Sequence, residues 1–305
     1  MLSGVRWHMA DLPCEVRSTD RRTLERAAVV LRGAFDLEPP GAAPDAIRWH
    51  IAPPAREPDG PGAPDSRSGD AEAAGMSWRV RREGKDDTWR ATDLDGALRI
   101  VEFGSIMAAL ESDGSLVTLH GALLDRAGTG LLILGPCESG KSTLATALWR
   151  EGWALLGDDV SVAEPDGRAR PLPRRVSLRH GSRALLGEPL WRRVLAAPSC
   201  SATEDGYLFH PSELDAVQPP AFTRLGGIVF LARRGVQIGP AEVGPINAAQ
   251  ALLALVPYSN VVRRAGLAAA LTRLQPLAQA APAFDLGRGP LPRMIQAIER
   301  QVLSR

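Results

Sequence analysis

The chain has 305 residues, 45% of them hydrophobic and 23% charged, with a formal net charge of +1. That is the balance of a globular protein holding one large domain or two smaller ones, and so even a charge gives no electrostatic case for binding nucleic acid. Cys14, Cys137 and Cys200 are too few and too scattered for a disulfide framework or a zinc pattern. The N-terminus lacks a signal-type apolar core, and no long uncharged apolar run follows. These features predict a cytoplasmic protein with free thiols and no membrane or nucleic-acid partner.

In chain order, residues 5–16 read as extended. Thr19 or Asp20 can cap a helix whose apolar positions Leu24, Ala27, Ala28, Leu31 and Phe35 recur at helical spacing. Ile47, Trp49 and Ile51 alternate with polar residues, as a half-buried strand does. Residues 53–75 are dominated by Pro, Gly, Ala, Asp, Glu and Ser, which bury too little apolar surface to offset ordering entropy. They read as a mobile loop that closes a small α+β region, residues 1–75.

The remainder, residues 76–305, reads as the second domain. Trp78 and Val80 predict a strand, a turn follows at residues 83–86, and Leu98, Ile100 and Val101 predict another strand. Further strands are expected at 115–124 and 130–134, a helix at 141–150 and a strand at 153–156. Residues 171–178 read as extended and 185–195 as helical. A strand is expected at 227–232, helices at 246–255 and 261–274, and a short strand at 283–286. Leu291, Met294, Ile295, Ile298 and Val302 line one face of a final helix.

The clearest chemical signal is the run Gly135, Pro136, Cys137, Glu138, Ser139, Gly140, Lys141 and Ser142. It fits the phosphate-loop pattern Gly-x-x-x-x-Gly-Lys-Ser/Thr, here between an apolar strand and a helix that starts with Thr143 in its first turn. Glycines allow tight backbone curvature where side chains would clash. Successive amides then point inward at a helix N-terminus and form an anion-binding nest. Lys141 would reach the outer phosphates of ATP and the Ser142 hydroxyl would sit on Mg²⁺. Lys141 is one of only two lysines, the other being Lys85.

Asp158 and Asp159 end the strand that follows, seventeen residues after Lys141. Carboxylates at such a strand end can hold Mg²⁺ or accept the proton of an attacking hydroxyl. Neighbours in extended chain point to opposite faces, so the pair must sit in a turn or serve different partners. Arg174, Arg175 and Arg179 are further candidates for phosphate contact. His8, His50, His180 and His210 show no metal-ligand spacing.

His120 and Gly121, the Gly128–Gly130 turn, the 131–142 segment, Gly152 and the Asp158–Asp159 pair together resemble the catalytic domain of HPr kinase/phosphorylase. The match covers residues 120–160. Residues 171–179 and 283–289 look like the more distant HPr-kinase-related proteins of biosynthetic clusters, including lasso peptide kinases. The later Glu-Ile-Arg-Gly motif of true HPr kinases has no counterpart here. The resemblance implies an α/β fold of the HPr kinase and phosphoenolpyruvate carboxykinase type, with a mixed twisted sheet. It also implies that Asp158 is the catalytic carboxylate, that Asp159 joins Ser142 at the metal, and that His120 lies at the catalytic site. The expected activity is Mg²⁺- and ATP-dependent phosphoryl transfer to a hydroxyl of a peptide, a protein or a small molecule. The alternative is an ATP-binding or ATPase module that gates a partner without transfer. Oligomerisation is left open.

Overall fold

The computed structural model describes residues 3–9, 12–32, 46–54, 77–112, 117–164, 166–172, 174–214, 220–233 and 235–303. The expected mobile loop lies outside the described residues from position 55 onward. The chain divides into two compact units, Met1–Ser112 and Asp113–Arg305. Among the described residues, no helix is long and apolar enough to cross a membrane.

The first unit contains β1 (Ser3–Met9), β2 (Leu12–Ser18), α1 (Arg21–Arg32), β3 (Ile47–Ala52), β4 (Trp78–Arg82), β5 (Thr88–Ala91) and α2 (Leu94–Ser112). Its strands form one sheet in the order β1-β2-β3-β4-β5. The β2–β3 pair is parallel, as a helical crossover requires, and the other pairs are antiparallel. Alternation puts Cys14, Val16, Trp49, Ile51 and Val80 on one buried face.

Both helices cover that face. Arg26 of α1 donates twice to Asp95 of α2, which holds the helices side by side. Gly104 of α2 sits so near the Trp49 ring that a Cβ there would come within 2.3 Å. Asp20 caps α1 by accepting the Thr23 amide at 2.9 Å.

Two expectations change here. The strand expected around residues 98–101 is part of the nineteen-residue helix α2. Its buried positions Ala97, Leu98, Val101 and Ile106 follow helical spacing, and Asp93 accepts the Gly96 amide at 2.6 Å, as a helix cap does. The boundary falls after Ser112 and not after residue 75, because β4 and β5 complete the sheet begun by β1–β3.

The second unit contains β6 (Val117–Leu119), β7 (Gly121–Arg126), β8 (Thr129–Leu134), α3 (Lys141–Arg150), β9 (Ala154–Gly157), β10 (Ser161–Ala163) and β11 (Arg168–Arg170). It continues with β12 (Val176–Arg179), α4 (Ser182–Leu186), α5 (Glu188–Ala196), β13 (Ser201–Ala202), β14 (Gly206–Phe209) and β15 (Thr223–Leu231). It ends with β16 (Val243–Ile246), α6 (Ala248–Leu255), α7 (Val261–Ala280), β17 (Ala283–Leu286) and α8 (Leu291–Val302). The single strand expected at 115–124 is broken at His120 into β6 and β7. α7 is interrupted at Gly266, where φ is 82°.

Among the described residues nine strands make a large open, mixed sheet, seven along the path β6-β10-β11-β15-β8-β7-β9 and β16 and β17 off it. One edge of β15 pairs parallel with β8; along the other, its start pairs with β11 and its end with β17, which also holds β16. A separate small sheet has the order β12-β14-β13. Because β8 is buried on both faces it reads as an unbroken apolar run. Leu131 and Ile133 pack with residues of α3 and α8, and Leu132 and Leu134 with residues of α6 and α7. The strand that leads into the glycine-rich turn is thus clamped on both faces and both edges.

Candidate functional site

The turn after Leu134 joins β8 to α3. Gly135 is required by space, since a Cβ would lie 2.5 Å from the Leu231 carbonyl oxygen and 2.7 Å from Ser139 Oγ. Gly140 is required by conformation: its φ is 99°, with nothing near the missing Cβ. Glu138 also takes a positive φ, 63°. Pro136 and Thr143 are half-buried, while Cys137 and Glu138 are exposed at the tip.

Lys141 opens α3 and is 6% exposed. Its ammonium folds back over the turn and donates to the carbonyls of Gly135 and Pro136, both at 3.0 Å. Burial lowers its pKa, and the charges of Asp159 and then Asp158 oppose that shift. The Ser139 hydroxyl is buried with no hydrogen-bond partner among the described residues. A curved backbone, a buried cation and an orphaned hydroxyl together fit an anionic group such as a phosphate.

The two aspartates sit in a turn just past β9, closed by a 2.8 Å bond from the Val160 amide to the Asp158 carbonyl. Asp159 has a φ of 68°, so the carboxylates part company. Asp158 points inward and is 2% exposed. It accepts the Ser142 hydroxyl at 3.0 Å and the Ser177 amide at 3.3 Å. Burial raises its pKa, the charge of Asp159 adds to the rise, and Arg174 with the two donors opposes it.

Asp159 is half-exposed. Its carboxylate lies 3.8 Å from His120 Nδ1 and 3.8 Å from Arg174 Nη1. His120 Nδ1 donates to the Asp159 carbonyl at 2.9 Å, which leaves Nε2 as the other ring nitrogen. The expectation paired Ser142 with Asp159; the structure pairs the Ser142 hydroxyl with Asp158. Among the described residues no three of His, Cys, Asp and Glu gather as a metal cage. A Ser hydroxyl beside one carboxylate is nonetheless a donor set that suits Mg²⁺, which keeps most of its waters.

The three candidate arginines separate. Arg174 reaches Asp159, and its buried Nε has no hydrogen-bond partner among the described residues. Arg179 donates to the Glu138 carboxylate at 2.5 Å. Arg175 is buried and donates to Ser201 at 2.7 Å, away from the turn. Arg288, not singled out in the sequence, donates to the Glu138 carbonyl at 2.8 Å. Its only sequence signal is its place between Gly287 and Gly289, beyond β17.

No protein-family model matches the chain, and no curated protein matches it. Among solved structures, the Hpr(Ser) kinase/phosphatase from Coxiella burnetii matches 61% of this chain and 97% of its own, at 16% identity and a TM-score of 0.32. The chain is distantly similar to that HPr kinase/phosphatase.

Proposed function

We propose that the chain is a Mg²⁺- and ATP-dependent phosphotransferase acting on a hydroxyl, with a serine of a peptide or protein as the favoured acceptor. The observation that carries this reading is the Ser142–Asp158 hydrogen bond beside the buried Lys141 ammonium, at a glycine-rich strand-to-helix turn. When bound, Mg²⁺-ATP supplies the transferable phosphoryl group and the cation that offsets its charge. The amides of the turn and of the start of α3 hold the phosphates, and Lys141 fixes their orientation. Ser142 and Asp158 are the metal-side oxygens. Asp159, open to solvent and held by His120 at its backbone, receives the proton of the acceptor hydroxyl on a carboxylate oxygen. Arg174 keeps that carboxylate oriented. This allots the aspartates in the opposite sense to the sequence expectation, because the Ser142 hydroxyl meets Asp158.

The test is transfer of labelled γ-phosphate into a lysate of the source cell, run beside ATP-binding measurements. Lys141→Ala should weaken ATP binding about tenfold or more. Asp158→Asn should lose the gain in ATP affinity that Mg²⁺ brings. Asp159→Asn should keep that gain and lose transfer by about 10²–10⁴. Transfer that survives in Asp159→Asn would return the proton-accepting role to Asp158. ATP binding without any transfer by the wild type would favour a nucleotide-gated module.

A further inference from the structure

The sheet of the first unit has a second face, opposite the one that α1 and α2 cover. Strand register assigns its residues: Arg6 pairs with Glu15, Glu15 with Arg48, and Arg17 with His50. Further along, His50 pairs with Arg81 and Arg79 with Arg90. These positions carry six arginines and a histidine against one strand carboxylate, in a chain whose net charge is only +1.

The face has two halves. In one, Glu15 is 5% exposed and receives Arg17 at 3.0 Å and Arg48 at 3.3 Å, with Arg6 at 3.8 Å. A single carboxylate fixes three guanidiniums in place. Glu83, in the turn after β4, adds contacts to Arg48 at 3.8 Å and His50 at 3.6 Å. In the other half Arg79, Arg81 and Arg90 are exposed. Arg79 stands directly across from Arg90. The side chains of Arg79 and Arg81 make no ion pair or hydrogen bond among the described residues.

We propose that this face docks an acidic polypeptide segment in extended conformation. Charge complementarity points to carboxylates, which guanidinium groups bind as bidentate pairs. Spacing points to extended chain. Arg79 and Arg81, two positions apart on one strand, stand about 6.5–7 Å apart, the repeat of alternate side chains in an extended peptide. Single-stranded nucleic acid fits less well because it needs aromatic platforms. Trp49, Trp78 and Trp89 occupy the alternate register positions and so belong to the other face. The proposal is independent of the phosphotransferase reading.

The probe is a labelled peptide of about a dozen residues alternating glutamate with alanine, titrated against the whole chain at low salt and followed by fluorescence anisotropy. Saturable binding is expected, weakening as salt rises. Arg79→Glu with Arg81→Glu should weaken it at least about tenfold. Both side chains are exposed, so an unchanged Tm should confirm that the double variant folds. Lys141→Ala should bind the peptide like wild type, which separates this surface from the phosphate turn. Absence of binding at low salt would overturn the proposal. So would full binding by the folded double variant, or a single-stranded oligonucleotide of equal charge that binds as tightly.

Discussion

Burial acts in opposite senses on Asp158 and Lys141. The Asp158 carboxyl is pushed up and the Lys141 ammonium is pushed down. Above the ordinary carboxylate range, about pH 4, and up to its raised value, folded Asp158 retains a proton that the unfolded chain has released. Its contribution to stability is therefore whole at low pH and is lost as pH rises through that window. Asp158→Asn lacks this loss. Its Tm should gain on the wild-type Tm as pH rises above about 4, as thermal melts at a series of pH values would show. Equal pH slopes would mean that Asp158 titrates normally. Local pattern made part of this site legible. Gly135, Gly140, Lys141 and Ser142 are close in sequence, and the strand-to-helix turn they form follows from their spacing. That the two carboxylates point apart was not legible, because it follows from the positive φ of Asp159, which no pattern encodes. Arg288 was hidden for another reason: it meets Glu138 across 150 positions.

At the scale of elements, the turn and its two neighbouring strands behave as one object. Gly135→Ala would drive a methyl group into the Leu231 carbonyl, which belongs to β15 and cannot move without disturbing the sheet. The expected cost is about 1–3 kcal/mol in urea unfolding, as for overpacking. Gly140→Ala has open space around it and pays only for its left-handed backbone, about 1–2 kcal/mol. A Gly135→Ala variant as stable as wild type would show that β15 does not hold the turn. The elements read correctly from sequence were those with a short, complete signal, such as α3 at 141–150 and β17 at 283–286. α2 was misread because three apolar residues in a short window fit a strand as well as a helix. Its identity shows over five turns, with the Asp93 cap at its start.

For the whole molecule, the second unit carries a complete core of its own on both faces of its sheet. A fragment of residues 113–305 should therefore unfold in one cooperative transition, with calorimetric and van't Hoff enthalpies in a ratio of about one. A broad, non-cooperative melt would mean that this unit needs the first to fold. Sequence placed the division at residue 75 because composition loosens there. β3 and β4, on either side of it, instead pair within one sheet, and composition cannot report which strands pair. Long-range pairing has one more consequence, for the order of events during synthesis. Thr129 at the start of β8 pairs with Arg224, 95 residues later, and β15 in turn pairs with β17 at 283–286. A growing chain that has just completed the glycine-rich turn lacks the strand whose Leu231 carbonyl lies against Gly135. The turn thus gains its final support only when β15 and β17 have left the ribosome, and a product truncated before them would carry the glycine-rich turn without the frame that shapes it.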